Sequence, residues 1–174
     1  PFLWIDVVWH RALPDFDLYY MVVNGQGAVS CPKEDTSLKS ITIGSVGTSW
    51  ITESFISAIA GVKNLSLSAV YSRDSQKAKA FAEKHHAEKY YSDMEAMAQD
   101  PSIDAIYIAS PNFLHHTQTM QFLKAGKHVI CEKPLVLNPW NLDGLRYTEE
   151  QTGHRVNNIL QLRLPPSIIA LKET

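Results

Sequence analysis

Cysteine is scarce in this chain: Cys31 and Cys131 are the only two in 174 residues. Two thiols exclude a disulfide scaffold, and each is expected to be a small buried or half-buried side chain. Charge bias is also missing. Lysine and arginine number 16 against 18 aspartates and glutamates, a formal net charge of −2. That balance gives no electrostatic reason to expect nucleic acid or an anionic membrane as a partner. No apolar run approaches the ~20 residues that cross a bilayer. The opening Phe2-Leu3-Trp4-Ile5-Asp6-Val7-Val8-Trp9 lacks a basic leader and a small-residue cleavage pattern, so it is a poor signal peptide. A cytoplasmic, reducing setting is the expectation. The first residue is Pro1 and the first methionine Met21, as expected of a processed, engineered or partial chain. The hydrophobic share of 45% and charged share of 20% are those of a globular protein.

The chain is organised around residues 41–52, Ile-Thr-Ile-Gly-Ser-Val-Gly-Thr-Ser-Trp-Ile-Thr. They read as a buried strand, a tight glycine turn and the start of a helix. A helix begun this way presents free N–H groups and the positive end of its dipole, which suits phosphate. Trp50, Ile51, Phe55, Ile56 and Ile59 are expected to form its apolar stripe. The dinucleotide fingerprint G-x-G-x-x-G/A would fall on Gly47, Ser49 and Thr52, with only the first glycine kept. An ordinary strand–turn–helix is the alternative reading.

Residues 1–38 differ from the rest. Strand-like 18–23, the turn Asn24-Gly25-Gln26-Gly27 and 28–31 suggest a β-hairpin extension, followed by a polar linker. From Ile41 onward strands alternate with helices. Strands are expected at 65–71, 89–91, 103–109, 128–131 and 156–162. Helices are expected at 75–85, 92–98 (opened by a Ser92/Glu95 capping box), 114–125 and 138–153 (capped by Asn138, with Pro139 at its first position). Alternation of this kind implies βαβ units and an α/β, doubly wound parallel sheet over 39–174. Ligands of such sheets lie at the carboxyl ends of the strands.

Four such ends carry chemistry. Ser72-Arg73 closes the second strand. Arg73 is a planar fork suited to a 2′-phosphate, so NADP is expected over NAD, although Asp74 follows directly. Ser110-Pro111-Asn112 follows the fourth strand, where Ser110 or Asn112 could equally cap a helix. The adjacent His115 and His116 make a poor metal pair because they point apart on a helix, and no metal is expected. Glu132-Lys133-Pro134 follows the fifth strand. Lys133 can reach a substrate hydroxyl, and Lys133-Pro134 is a candidate cis peptide; a surface Glu–Lys pair before a proline turn is the competing reading.

Taken together, residues 43–51, 69–73, 104–112 with His115, and 125–134 resemble the Gfo/Idh/MocA oxidoreductase family over about 40–174. The resemblance implies a Rossmann-fold, nicotinamide-dependent dehydrogenase or reductase of a sugar, polyol or related hydroxyl compound. It would place NAD(P) across Gly44, Val46, Gly47, Ser49 and Trp50, with Ser72 and Arg73 at the adenosine end. Ser110, Asn112 and His115 would flank the nicotinamide, and Glu132, Lys133 and Pro134 would shape its site, with Lys133 and His115 as acid–base candidates. It also admits a homo-oligomer. The larger C-terminal substrate domain that family members carry is absent from these residues, so little turnover is expected from them alone. A catalytically silent dinucleotide-binding or interaction module is the alternative.

Overall fold

A computed structural model describes residues 40–159. The expected N-terminal hairpin and the continuation of the last strand lie outside that range. Within it, eleven elements alternate: β1 Ile41–Val46, α1 Trp50–Ile59, β2 Leu65–Tyr71, α2 Ser75–Lys84, β3 Lys89–Tyr91, α3 Met94–Ala98, β4 Ala105–Ile108, α4 Asn112–Lys124, β5 His128–Cys131, α5 Trp140–Thr152 and β6 Val156–Asn158.

The six strands form one sheet in the order β3-β2-β1-β4-β5-β6, every pair parallel. Continuous apolar runs explain why. All four residues of β4 are buried, as a strand covered by helices on both faces requires. On one face Val46, Ala69, Ile106, Ile108 and Val129 pack with Met97 of α3, Phe122 and Leu123 of α4 and Leu145 of α5. On the other, Val70 packs with Ile56 of α1 and Phe81 and Ala82 of α2.

Element ends follow local chemistry, with departures from the sequence reading. Asp93 rather than Ser92 caps α3, accepting from Glu95 N at 2.9 Å; a carboxylate one residue nearer the helix reaches the first-turn N–H directly. Ile103 and Ala109 fall outside β4, although Ile103 is buried. Asn138 does accept from Asn141 N at 3.2 Å, but Pro139 rather than Asn138 takes the N-cap place and α5 starts at Trp140; Gly153 closes it in a left-handed conformation with φ +72°.

Candidate functional site

Strand order reverses between β1 and β4, so their carboxyl ends leave a crevice between neighbouring turns. Gly47 sits there with φ +111°. A Cβ on it would lie 2.7 Å from the Ala109 carbonyl oxygen, so glycine is required both by dihedral and by space. Backbone bonds hold the neighbouring ends in line: Gly47 N donates to Tyr71 O (3.1 Å) and Ala109 N to Val46 O (2.9 Å).

Helix α1 then starts over the crevice. Ser49 occupies its N-cap position with extended backbone, is exposed, and its side chain makes no capping bond. The first turn is therefore left without a side-chain acceptor, at the positive end of the dipole. Thr52, the third fingerprint position, is buried beside Gly47 with its Oγ1 unpaired. The positive-φ glycine and the uncapped first turn fit a dinucleotide phosphate, whose oxygens would accept from those N–H groups.

Three residues of this stretch stand differently from the expectation. Gly44 is inside β1, and the place of its side chain is filled by Met97 and Ile106; its smallness seats α3 on the sheet. Val46 is 1% exposed and points into the core, so only its backbone borders the turn. Trp50 is 62% exposed rather than part of the inward stripe. The buried face of α1 is Thr52, Phe55, Ile56 and Ile59, an i, i+3, i+4, i+7 set, and a residue two before Thr52 points to the opposite side.

At the end of β2, Ser72 is half-buried and Arg73 exposed. Asp74 is the N-cap of α2, its Oδ1 accepting from Gln76 N (2.9 Å) and Lys77 N (3.2 Å). The acid that competed with Arg73 in the sequence is thereby turned into the helix.

The ends of β4 and β5 are joined by side chains. Tyr107 donates its hydroxyl to Glu132 Oε1 at 2.9 Å, both residues being buried, and Phe55 stacks on the Tyr107 ring with centroids 3.8 Å apart. Burial, then the Glu132 charge, push the Tyr107 hydroxyl far above its usual pKa, so it remains a donor. Glu132 Oε2 accepts from Lys133 N at 3.3 Å. Asn158 Nδ2, from β6, donates to Cys131 O (3.0 Å) and Glu132 O (3.2 Å). The turn before Lys133 is thus held from two sides while the Lys133 side chain stays exposed. The Lys133-Pro134 peptide is cis, as expected from the sequence. Burial raises the Cys131 thiol to about 12, so it is inert.

Neither Ser110 nor Asn112 caps α4: Ser110 Oγ donates to Gln118 Oε1, and Asn112 is exposed at the first helical position. His115 departs most from the expectation. It is 1% exposed, with Nδ1 2.8 Å from Pro134 O and Nε2 2.8 Å from Ser110 O. Both nitrogens are occupied by backbone, leaving none to exchange a proton with a substrate, which overturns its reading as an acid–base group.

Tyr107, Gln118 and Asn158 were missed by the sequence reading. Tyr107 and Asn158 meet partners 25 to 27 residues away, which no local spacing reveals. A tyrosine in a buried strand was the one available signal, since its hydroxyl needs a partner. Among the described residues no group of three or more His, Cys, Asp or Glu is placed to hold a metal, and no helix is long and apolar enough to cross a membrane.

Sheet order, glycine turn and uncapped helix together define a dinucleotide-binding α/β domain of the Rossmann type. The sequence profile of the Gfo/Idh/MocA oxidoreductase family, NAD-binding Rossmann fold, matches residues 41–159, and the chain belongs to that family. It is 38% identical over 128 residues to scyllo-inositol 2-dehydrogenase (NADP(+)) IolU of Bacillus subtilis, covering 74% of this chain and 39% of that protein. Among solved structures it is similar to an NAD binding oxidoreductase from Klebsiella pneumoniae (29% identity, TM-score 0.69, 77% of this chain and 38% of that one). It is equally similar to scyllo-inositol dehydrogenase from Lactobacillus casei with bound NAD(H) and scyllo-inositol (27% identity, TM-score 0.69, 78% and 40%). The chain spans about two fifths of the length of these relatives.

Proposed function

We propose that residues 39–174 are the cofactor half of an oxidoreductase that transfers hydride between NADP and a hydroxyl of a sugar, polyol or related compound. The observation that carries this reading is the crevice itself, where the positive-φ turn at Gly47 meets the uncapped first turn of α1. The diphosphate would rest on the N–H groups that follow Gly47, with Ser49 and the exposed Trp50 at its edge. Ser72 and Arg73 would hold the adenosine end. Ser110, Asn112, Glu132, Lys133 and Pro134 would border the nicotinamide end. The cofactor supplies the hydride chemistry.

Lys133 is the group that could move the proton. Its exposed side chain follows a turn held by Glu132 and Asn158, at the carboxyl end of β5 where a hydroxyl would have to lie. A general base must come within about 2.6–3.2 Å of the proton, directly or through one water. The substrate class rests on the two relatives whose names specify scyllo-inositol. NADP is favoured because Arg73 is exposed while Asp74 is engaged as a cap.

Titration of NADP and NAD against the chain and its Arg73→Ala variant tests the assignment. The variant should lose about 1–3 kcal/mol of NADP affinity, the range of a charge-assisted contact, and little of NAD. Equal weakening of both dinucleotides would remove Arg73 from the 2′-phosphate.

A further inference from the structure

We infer that Tyr107 is a positioning residue, whose hydroxyl pins the Glu132-Lys133-Pro134 turn to the core of the sheet and so shapes the nicotinamide end of the crevice. This deepens the dinucleotide reading and rests on it for its functional consequence. Side chains alternate between the two faces of a strand. Ile130, level with Tyr107 in the parallel register, therefore stands on the face of Tyr107, opposite the one carrying Ile106, Ile108, Val129 and Cys131. Glu132 follows two residues on, just beyond the end of β5. The phenol reaches along the sheet toward its carboxyl end and donates to Glu132 Oε1 at 2.9 Å. Phe55 of α1 lies flat on the ring, the two planes 2° apart, and fixes the direction of the phenol. Phenylalanine would serve the packing at this place equally well. The hydroxyl is accounted for by Glu132.

Glu132 joins that buried face to Lys133, and each of its polar groups is engaged. Its N–H donates to Ile108 O (2.9 Å) and its carbonyl accepts from Asn158 Nδ2 (3.2 Å). Oε1 takes the Tyr107 hydroxyl and Oε2 the Lys133 N–H (3.3 Å). The first two bonds fix the backbone whatever the side chain does. The carboxyl depends on Tyr107, because the longer Lys133 contact comes from the next residue and moves with the turn. A buried carboxyl that lost the phenol would be short of a donor and drawn toward water. The Lys133 amide would follow it, and with it the direction of the peptide leading into Lys133 and Pro134. The end of β2, which carries Ser72 and Arg73, is separated from β4 by β1, so the adenosine end should not feel the change. Tyr107 is fully buried and acts through Glu132, touching neither cofactor nor substrate.

The test separates the two ends of the cofactor. The 174-residue chain and its Tyr107→Phe variant are titrated calorimetrically with NADPH and with 2′-phospho-ADP-ribose, which keeps adenosine and diphosphate but lacks nicotinamide. Phenylalanine keeps the ring on Phe55 and removes only the hydroxyl. NADPH should bind the variant about fivefold or more weakly, while the fragment binds both chains to within about twofold. Equal weakening of both ligands would mark general damage to the fold and overturn the positioning role, as would an unchanged NADPH affinity. A measurement on the unmodified chain stands even where Tyr107→Phe does not fold. The ring carbon bearing the hydroxyl, isotopically labelled and assigned through its own backbone, is observed in an equal mixture of light and heavy water. A phenol held on Glu132 exchanges its hydrogen slowly, so two isotope-shifted signals are expected; one averaged signal would overturn the pin. If the unmodified chain binds neither ligand, the cofactor reading fails and the positioning role with it, whereas the isotope-shifted signals still decide how Tyr107 is bonded.

Discussion

The two ends of the sheet are built on opposite plans. At the amino end, polar side chains cross-link the strand starts. Lys127 is buried and donates to Asp100 O (2.6 Å) and Ile103 O (2.8 Å). Thr42 N and Oγ1 both donate to Asp104 Oδ2, at 2.9 and 2.8 Å. Lys89 Nζ and Tyr91 Oη reach Asp100 Oδ2 at 2.7 and 2.6 Å. At the carboxyl end α1 starts uncapped, and Trp50, Phe113, Leu137 and Trp140 are exposed where helices begin or strands finish. One end closes its polar groups on itself and holds the fold. The other also ties β4, β5 and β6 together through Tyr107, Glu132 and Asn158, but beside that it keeps donors and apolar surface facing outward, in the place where the fold puts ligands.

That division predicts that the two ends should fail separately. The largest effect on stability is expected from Lys127→Met, which keeps the aliphatic stem but leaves the Ile103 carbonyl without a donor and the Asp100 carbonyl with only the Ile103 N–H at 3.3 Å. At about 1–3 kcal/mol for an unsatisfied buried group, it should cost on the order of 2 kcal/mol. Denaturant unfolding should show the loss while NADP affinity of the folded fraction stays as before; a parallel loss of affinity would break the division.

Gly47→Ala should do the reverse. Positive φ and the Ala109 carbonyl at 2.7 Å cost about 1–3 kcal/mol of backbone strain. The turn must also shift at the crevice, so affinity should fall tenfold or more, a larger change than the drop in melting temperature implies. An alanine variant that binds normally would show that the turn is not the seat of the diphosphate.

The smallest expected effect is a pH dependence. Burial of Asp100 would raise its pKa, but bonds from Lys89, Tyr91 and Ser102 outweigh it and hold the carboxyl well below the usual range. A depressed acid contributes stability above its unfolded pKa of about 3.9 and loses it as pH falls toward the folded value. Melting temperatures of the chain and of Asp100→Asn should therefore converge below about pH 4; a constant gap down to pH 3 would remove Asp100 as the source.

What could be read from the residues was what local chemistry dictates. β2 falls at Leu65–Tyr71 and β5 at His128–Cys131 as expected, because apolar runs between turn residues define them. The glycine turn at Gly47 and the doubly wound order followed from spacing and alternation. Trp50 was misplaced because a hydrophobic residue near a stripe looks like part of it, while the helix phase is set by Thr52, a residue that does not look apolar. His115 and Asn158 were beyond local reading. The Pro134 carbonyl at His115 and the Cys131 carbonyl at Asn158 lie 19 and 27 residues away and come near only when the strands lie side by side.

The cap formed by Asp74 has a consequence for anyone wishing to redirect cofactor choice. Its carboxylate is committed to Gln76 N and Lys77 N, and rotating it toward a ribose would unfasten the start of α2. If Arg73 takes the 2′-phosphate as proposed, helix capping and cofactor preference lie on neighbouring but separate residues. An acid meant to greet a 2′-hydroxyl belongs at Ser72, one step before the cation, where the strand has ended and the helix has not yet begun.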